Sequence, residues 1–351
     1  MFLGIRGNNI NIKIYLYNMN SHILIFLTFF CYSFCLLNYT QKIPDGYEVA
    51  PWYDFKPAVI TYSFDDGTYN QIGKGLPLLD KYNLKGSFNL ITSWDQEWEG
   101  FKLAAKNGHE ISSHTVTHPN LEEQNIETQI SELKESKKKI EKETGHECVT
   151  LVYPYCSAGD YDLAKKFYIS ARACSGELIG PNPYDMFDIS SIIIGDQTDF
   201  KTGKDLNNWA DRAFDEKKWV MFLIHGIDGD GGYSPIDSYE LELHLKYVSK
   251  NIDKFWVGTF RDVSKYILEA NSIIIEENNH ESGMKTINVS CQYTTTITKL
   301  DFPVTVSRII EPNCKNPTIL RESDKSEVNI RTISNKIIFD VIPGEKYQFA
   351  C

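Results

Sequence analysis

The 351-residue sequence is short of basic residues, with 36 Lys and Arg against 47 Asp and Glu and a formal net charge of −11. Binding a phosphate backbone needs the opposite balance, so nucleic acid is excluded as a primary partner. Internal repeats and low-complexity tracts are also missing, which removes repeat architectures. No Gly-x-Ser-x-Gly elbow occurs, an argument against the common serine-hydrolase chemistry. With 22 Gly and 13 Pro there is no collagen-like order, and a hydrophobic share of 42% excludes intrinsic disorder. What remains is a globular chain with ample core material, including 20 Tyr and 19 Phe, long enough for one large domain and a smaller one.

Residues 22–37, HILIFLTFFCYSFCLL, form an apolar run behind Arg6 and Lys13 and ahead of polar sequence. This is the layout of a secretory signal peptide, and the run is short for a membrane span. We therefore read residues 1–37 as a signal peptide, with a signal anchor as the alternative and Met19 as an alternative start. The mature chain is expected to be secreted or held in a cell wall, without stable membrane insertion. Removing the leader takes away Cys31 and Cys35 and leaves Cys148, Cys156, Cys174, Cys291, Cys314 and Cys351. An exported chain with six cysteines suggests disulfides. Because three lie in the first part and three in the tail, either one bridge crosses between the regions or two thiols stay free.

From about residue 58 to 270, short β-branched or aromatic runs alternate with helical stretches, the pattern of a βα repeat with a parallel sheet. The strands read at 58–64, 86–91, 109–115, 148–154, 167–173, 190–195, 219–225 and 255–260 number eight and predict an α/β barrel. The segment 121–145 has Ile126, Ile130, Leu133 and Ile140 at helical spacing, with Asn120 as N-cap, Gly145 as stop and Lys137 to Lys139 as a solvated face. After Asn271 the pattern changes to polar and apolar alternation, as in strands with a solvent face. Residues 272–351 are thus expected to form a small all-β, sandwich-like domain. Carbohydrate binding and a plain structural appendage are its two readings.

The residues with chemistry in them lie where these strands end, which is where barrel active sites are assembled. The first strand runs into Ser63-Phe64-Asp65-Asp66-Gly67, and adjacent carboxylates in an extended segment point in different directions. The third runs into His114-Thr115-Val116-Thr117-His118-Pro119, where a loop can aim both imidazoles at one point. Two imidazoles and a carboxylate leave open positions on a divalent ion, the arrangement that activates water. Tyr153-Pro154-Tyr155 follows the fourth strand and Leu223-Ile224-His225 the seventh.

In this ordered set the sequence resembles the polysaccharide deacetylases, the NodB-like carbohydrate esterases, whose fold is a distorted (β/α) barrel. The resemblance covers about residues 55–270, so that 45–271 reads as the catalytic domain. It implies Asp65 as general base, Asp66, His114 and His118 as metal ligands, and the Tyr155 backbone N–H as an oxyanion donor. His225 is then the general acid. Two departures stand out. The Arg that pairs with the catalytic Asp in the family is replaced by Val152, and Arg172 on the next strand is the candidate substitute. The family's Asp-rich segment ending in Trp is reduced to Asp196-Gln197-Thr198-Asp199-Phe200, with Asp199 as candidate partner of the acidic imidazole.

The resemblance implies hydrolysis of acetyl groups on an acetylated polysaccharide or oligosaccharide, with release of acetate. An amide substrate, as in chitin-like or N-acetylglucosamine-containing polymers, is favoured over the ester of acetylated xylan. A carbohydrate-binding protein without turnover and a structural wall protein are the alternatives of other classes. The imidazole and carboxylate set suits zinc best, with cobalt and nickel as alternatives. Trp94, Trp98, Trp209 and Tyr233 are candidates for stacking on sugar rings.

Overall fold

The computed structural model describes residues 40–280 and 283–351; the leader read at 1–37, with Cys31 and Cys35, lies outside the described residues. In chain order the elements are β1 (Tyr47–Val49), β2 (Ala58–Asp66), α1 (Leu76–Lys81), β3 (Ser87–Leu90), α2 (Trp98–Lys106), β4 (Glu110–Ser113), α3 (Ile126–Thr144), β5 (Thr150–Val152) and α4 (Tyr161–Ala164). They continue with β6 (Ser170–Arg172), β7 (Ile192–Ile193), α5 (Gly203–Glu216), β8 (Trp219–Ile224), α6 (Ser238–Lys250), β9 (Phe255–Val257) and α7 (Phe260–Ser272). Seven strands close the chain: β10 (Ile273–Asn279), β11 (Lys285–Cys291), β12 (Val304–Ile309), β13 (Thr318–Arg321), β14 (Arg331–Ile333), β15 (Lys336–Val341) and β16 (Lys346–Ala350).

The eight strands β2 to β9 match the eight read from the sequence and form one parallel sheet in the order β6-β5-β4-β3-β2-β8-β7, with β9 beside the first half of β2. A parallel sheet is covered on both faces, which is why all nine residues of β2, Ala58–Asp66, are buried. The sheet curls, because the segment leading into β7 returns to β6: Ala171 N donates to Met186 O at 2.8 Å and Ala173 N to Ile189 O at 2.8 Å. All these strands end on the same side, so residues far apart in sequence meet at one mouth.

Two local expectations change. Helix α3 is capped by Asn125, whose side chain accepts from Thr128 N at 2.9 Å, and Asn120 instead precedes a single 3-10 turn at Leu121–Glu123. A capping side chain must lie two or three residues before a free N–H, and Pro119 and the buried Leu121 hold Asn120 in a separate turn. The exposed Ile126 also departs from the expected apolar stripe, while Glu132 on the same helix is buried. Gly145 ends the helix with φ 75°, as expected.

The carboxyl-terminal region is a pair of four-stranded antiparallel sheets, β1-β12-β15-β14 and β10-β11-β16-β13. Val306, Ile337 and Phe339 of one and Ile287, Tyr347 and Phe349 of the other share a core. Strand β1, at the start of the range 45–271, supplies an edge to the first of these sheets, with Glu48 opposite Ser307. Helix α7 is buried along most of its length because it is covered twice: Val263 and Ile267 face the barrel core, whereas Tyr266 and Ala270 join the core of the β sheets. Around it Tyr53, Trp256, Tyr266 and Phe302 pack ring against ring at 5.3 to 6.2 Å. Disulfides join Cys156 to Cys174 and Cys314 to Cys351, while Cys148 and Cys291 are free. Each bridge stays within its region. Among the described residues no helix is long and apolar enough to cross a membrane.

Candidate metal centre and active site

Strand β2 ends in a forced turn. Asp66 has φ 77° and Gly67 φ 79°, and a Cβ at Gly67 would lie 2.2 Å from Gln96 Oε1, so only glycine fits. Gln96 fixes the turn by donating from Nε2 to Asp66 O at 2.9 Å and Ile91 O at 3.0 Å. The turn separates the two carboxylates. That of Asp65 points into the barrel, where Asn89, its register partner on β3, donates to Oδ1 at 2.7 Å and Arg172 pairs with Oδ2. Arg172 is itself the register partner of Val152, so the guanidinium reaches Asp65 from one strand further round the barrel than the family position. Burial pushes the Asp65 carboxyl up, but the charges of Arg172, His114 and His225 outweigh it and hold the group below the usual carboxylate range.

The two histidines are brought together by a loop whose residues Thr115 and His118 have φ 67° and 60°. Glu132 of α3 holds this loop from below, accepting from Val116 N at 2.7 Å, Thr117 N at 2.9 Å and Thr117 Oγ1 at 2.7 Å. His114 Nδ1 lies 2.9 Å from Val152 O, which can only accept; Nδ1 therefore carries the proton and Nε2 offers its lone pair. His114 Nε2 and His118 Nε2 are 3.1 Å apart, and Asp66 Oδ1 lies 3.5 Å from the first and 3.9 Å from the second. Four-coordinate bonds of about 2.0–2.1 Å separate neighbouring donors by roughly 3.3 Å, so this donor set fits one small divalent cation. It is also the one group of three or more His, Cys, Asp or Glu with metal-ligand spacing among the described residues.

The charges point the same way. Burial, the adjacent Asp65 and the nearby Asp230 push the Asp66 carboxyl up to about 7 against the pull of Arg172, a repulsion that a cation relieves. Burial pushes the His114 imidazole down to about 4 and also lowers His118, so both are neutral ligands at pH 7.

Tyr155 lies at the same mouth with φ 57°, its exposed ring edge-on to His118 at 4.7 Å between centroids. His225 is half-buried with Tyr233 edge-on at 5.1 Å, and burial lowers its pKa, opposed by Asp65. The chain does not bring Asp199 to it: Asp199 is exposed, and His225 Nδ1 is buried without a hydrogen-bond partner. Of the four aromatic candidates, Trp94 and Tyr233 are half exposed near strand ends, whereas Trp98 and Trp209 pack against the barrel core.

Sequence reasoning missed several participants. Asn89 and Glu132 are described above. Gln71 donates from Nε2 to Asp65 O at 2.5 Å and to His225 O at 2.9 Å, tying the ends of β2 and β8 together. Asp230 anchors the loop after β8 by accepting from Asn70 N at 3.1 Å and Gly232 N at 3.2 Å. None of these belongs to a local motif; only the fold brings them to the site.

Residues 53–167 match the family described as polysaccharide deacetylase. The chain is 28% identical over 287 residues to a gellan lyase of a Bacillus species, covering 74% of this chain and 11% of that protein. It is 29% identical over 98 residues to a peptidoglycan-N-acetylglucosamine deacetylase of Listeria monocytogenes, covering 27% of this chain and 21% of that one. The chain thus spans about a tenth and about a fifth of these curated relatives. A crystal structure described as a polysaccharide deacetylase of Mycobacterium smegmatis superposes with a TM-score of 0.50 at 15% identity, over 63% of this chain and 95% of that one, and shares the fold. The resemblance to the polysaccharide deacetylases is thus borne out over residues 53–167, and the parallel barrel has the fold of the Mycobacterium structure.

Proposed function

We propose that the chain is a metal-dependent hydrolase that removes N-acetyl groups from a polymer containing N-acetylglucosamine, releasing acetate and leaving an amine. The observation that carries this reading is the pairing of Asp65 with Arg172 directly beside the Asp66, His114 and His118 donor set. A catalytic base and a Lewis-acid site within one barrel mouth are what acyl hydrolysis needs. The name of the Listeria relative supports an amide substrate. Two disulfides suit an oxidising compartment and, with the leader read at 1–37, support secretion.

Asp66, His114 and His118 would hold a divalent ion, zinc by the chemistry of the donors, which when bound supplies Lewis acidity toward an acetyl carbonyl and water. Asp65, kept ionised by Arg172, accepts the proton of the attacking water through a lone pair that Asn89 and Arg172 leave open. The Tyr155 N–H donates to the oxygen on which charge develops. His225 donates a proton to the leaving nitrogen; burial lowers its pKa, and the charge of Asp65 opposes that shift.

The test is acetate release by the purified full chain on chitin oligomers and on acetylated xylan, with and without a chelator and added zinc. Release from chitin oligomers that the chelator abolishes and zinc restores is the expected result. Release from xylan alone would make it an ester hydrolase, and metal uptake without any release would favour a binding protein.

A further inference from the structure

We propose that the Cys156–Cys174 disulfide is a positioning element of the active site: it holds the left-handed turn that presents the Tyr155 N–H, and turnover requires the bond. The inference rests on the functional reading above. Cys156 directly follows Tyr155, and Cys174 lies two residues beyond Arg172, with 5.6 Å between the cysteine Cα atoms. The bond therefore staples the turn after β5 to the end of β6.

The turn needs such a staple. Tyr155 and Cys156 have φ 57° and 59°, two successive non-glycine residues in the left-handed region, a conformation that persists only where the surroundings impose it. The turn's side-chain contacts besides the bridge include the Tyr155 ring on His118 and Ala158 against the barrel core. The Tyr155 side chain is exposed, and no residue from 155 to 160 is buried. The turn's own backbone bonds are Cys156 N to Tyr153 O at 3.2 Å and Ser157 N to Pro154 O at 3.1 Å. Ser157 Oγ adds an exposed bond to Glu122 at 3.1 Å, and Asp160 N one to Gln129 at 2.8 Å.

On the other side of the bridge the backbone is firm. Arg172 is buried and paired with Asp65, Ala173 N donates to Ile189 O at 2.8 Å, and Ala173 O accepts from Ser191 Oγ at 2.7 Å. A loosely held strained turn is thus bonded to a fixed strand end. The second bridge, Cys314–Cys351, ties the chain end to the β sheets and touches none of the site residues named above.

The experiment compares the full chain with C156S/C174S and with C314S/C351S, each before and after treatment with a water-soluble phosphine. The phosphine supplies two electrons and water the oxygen and protons, so that one disulfide, one phosphine and one water give two thiols and a phosphine oxide. Acetate release is measured on whichever polymer the untreated chain deacetylates, with circular dichroism and bound metal per chain as parallel readouts.

The expected result is a fall in kcat of at least about tenfold in C156S/C174S and in both phosphine-treated chains that carry this bond, since oxyanion donors contribute about 10²–10³ each. KM should stay within about threefold, circular dichroism and metal content should not change, and C156S/C174S should no longer respond to phosphine. Full kcat in folded C156S/C174S, or in the wild type after mass spectrometry shows both thiols free, overturns the inference. Lost metal or a collapsed spectrum in every reduced sample overturns it too, because the bond is then structural. An untreated wild type that holds metal and releases no acetate overturns the functional reading and this inference together.

Discussion

Arg172 at the end of β6 pairs with Asp65 at the end of β2 across the mouth of the barrel, with both side chains almost wholly buried. Three strands lie between the two in the sheet order β6-β5-β4-β3-β2, and only the curl of the sheet lets them meet. Breaking a buried pair by removing one partner typically costs about 3–5 kcal/mol, because the other charge is left uncompensated. Arg172→Ala should therefore lower the thermal midpoint and reduce kcat by roughly a hundredfold, with Arg172→Lys in between. Since Val152 and Arg172 are in register on neighbouring strands, the exchange V152R/R172V should recover part of the loss. Unchanged turnover in Arg172→Ala would remove the pair from catalysis.

His225 and Asp199 should separate cleanly under mutation. Replacing a general acid costs about 10²–10⁴ in rate, so His225→Ala should lose at least a hundredfold in kcat with metal content unchanged. Asp199→Ala should keep activity within about twofold, because the imidazole has no partner at Nδ1 to lose. Equal losses in the two variants, measured as acetate release, would instead bring Asp199 back as the imidazole's partner.

Glu132 never reaches the metal donors, yet it holds the loop between them by three hydrogen bonds. Substitution of groups that orient ligands commonly weakens metal binding by about 10–100-fold. Glu132→Ala should weaken zinc affinity by that order in a chelator competition assay, and Glu132→Gln by less, since an amide oxygen can still accept. Wild-type zinc affinity in both variants would mean that the loop keeps its shape unaided.

Glu269 on α7 gives a stability that depends on pH. Burial pushes its carboxyl up to about 8, and Oε2 has no partner, although Phe302 N donates to Oε1 at 3.1 Å. An unfolded chain releases this proton near about 4.3, so between roughly pH 4 and 8 the native state binds the extra proton and loses stability as the pH rises. Glu269→Gln should flatten that part of the curve and raise stability more at pH 8 than at pH 5. The check is denaturant unfolding at pH 5 and pH 8 for both chains; parallel curves would count against it.

The legible part of this molecule is the part written in short local patterns. Eight strands, the two carboxylates before Gly67 and the histidine pair before Pro119 could be read because each needs only neighbours in sequence and a strand end. Arg172 was legible one step further, because Val152 leaves a charge missing beside it. Asn89 and Glu132 were not, since an Asn inside a strand and a Glu on a helix look ordinary until the fold sets them 24 and 15 or 16 residues from their partners in sequence. The N-cap misreading has a local cause: Asn120 and Asn125 are equally good caps, and Pro119 together with the burial of Leu121 decides between them. The disulfide pairing needed three dimensions as well, as did the pairing of β1 with a strand more than 250 residues later.

That last pairing bears on how the chain is made. Tyr47–Val49 leaves the ribosome early, but its partners Val306, Ser307 and Arg308 come only after every strand of the barrel. The barrel strands can therefore pair while this leading segment still waits for a sheet whose strands follow them in the sequence. A stop codon between the end of α7 and Phe302 would yield chains with a complete set of metal donors and an open seam along Tyr53, Trp256 and Tyr266 where Phe302 belongs. Quality control would meet these as nearly finished barrels with an exposed aromatic flank.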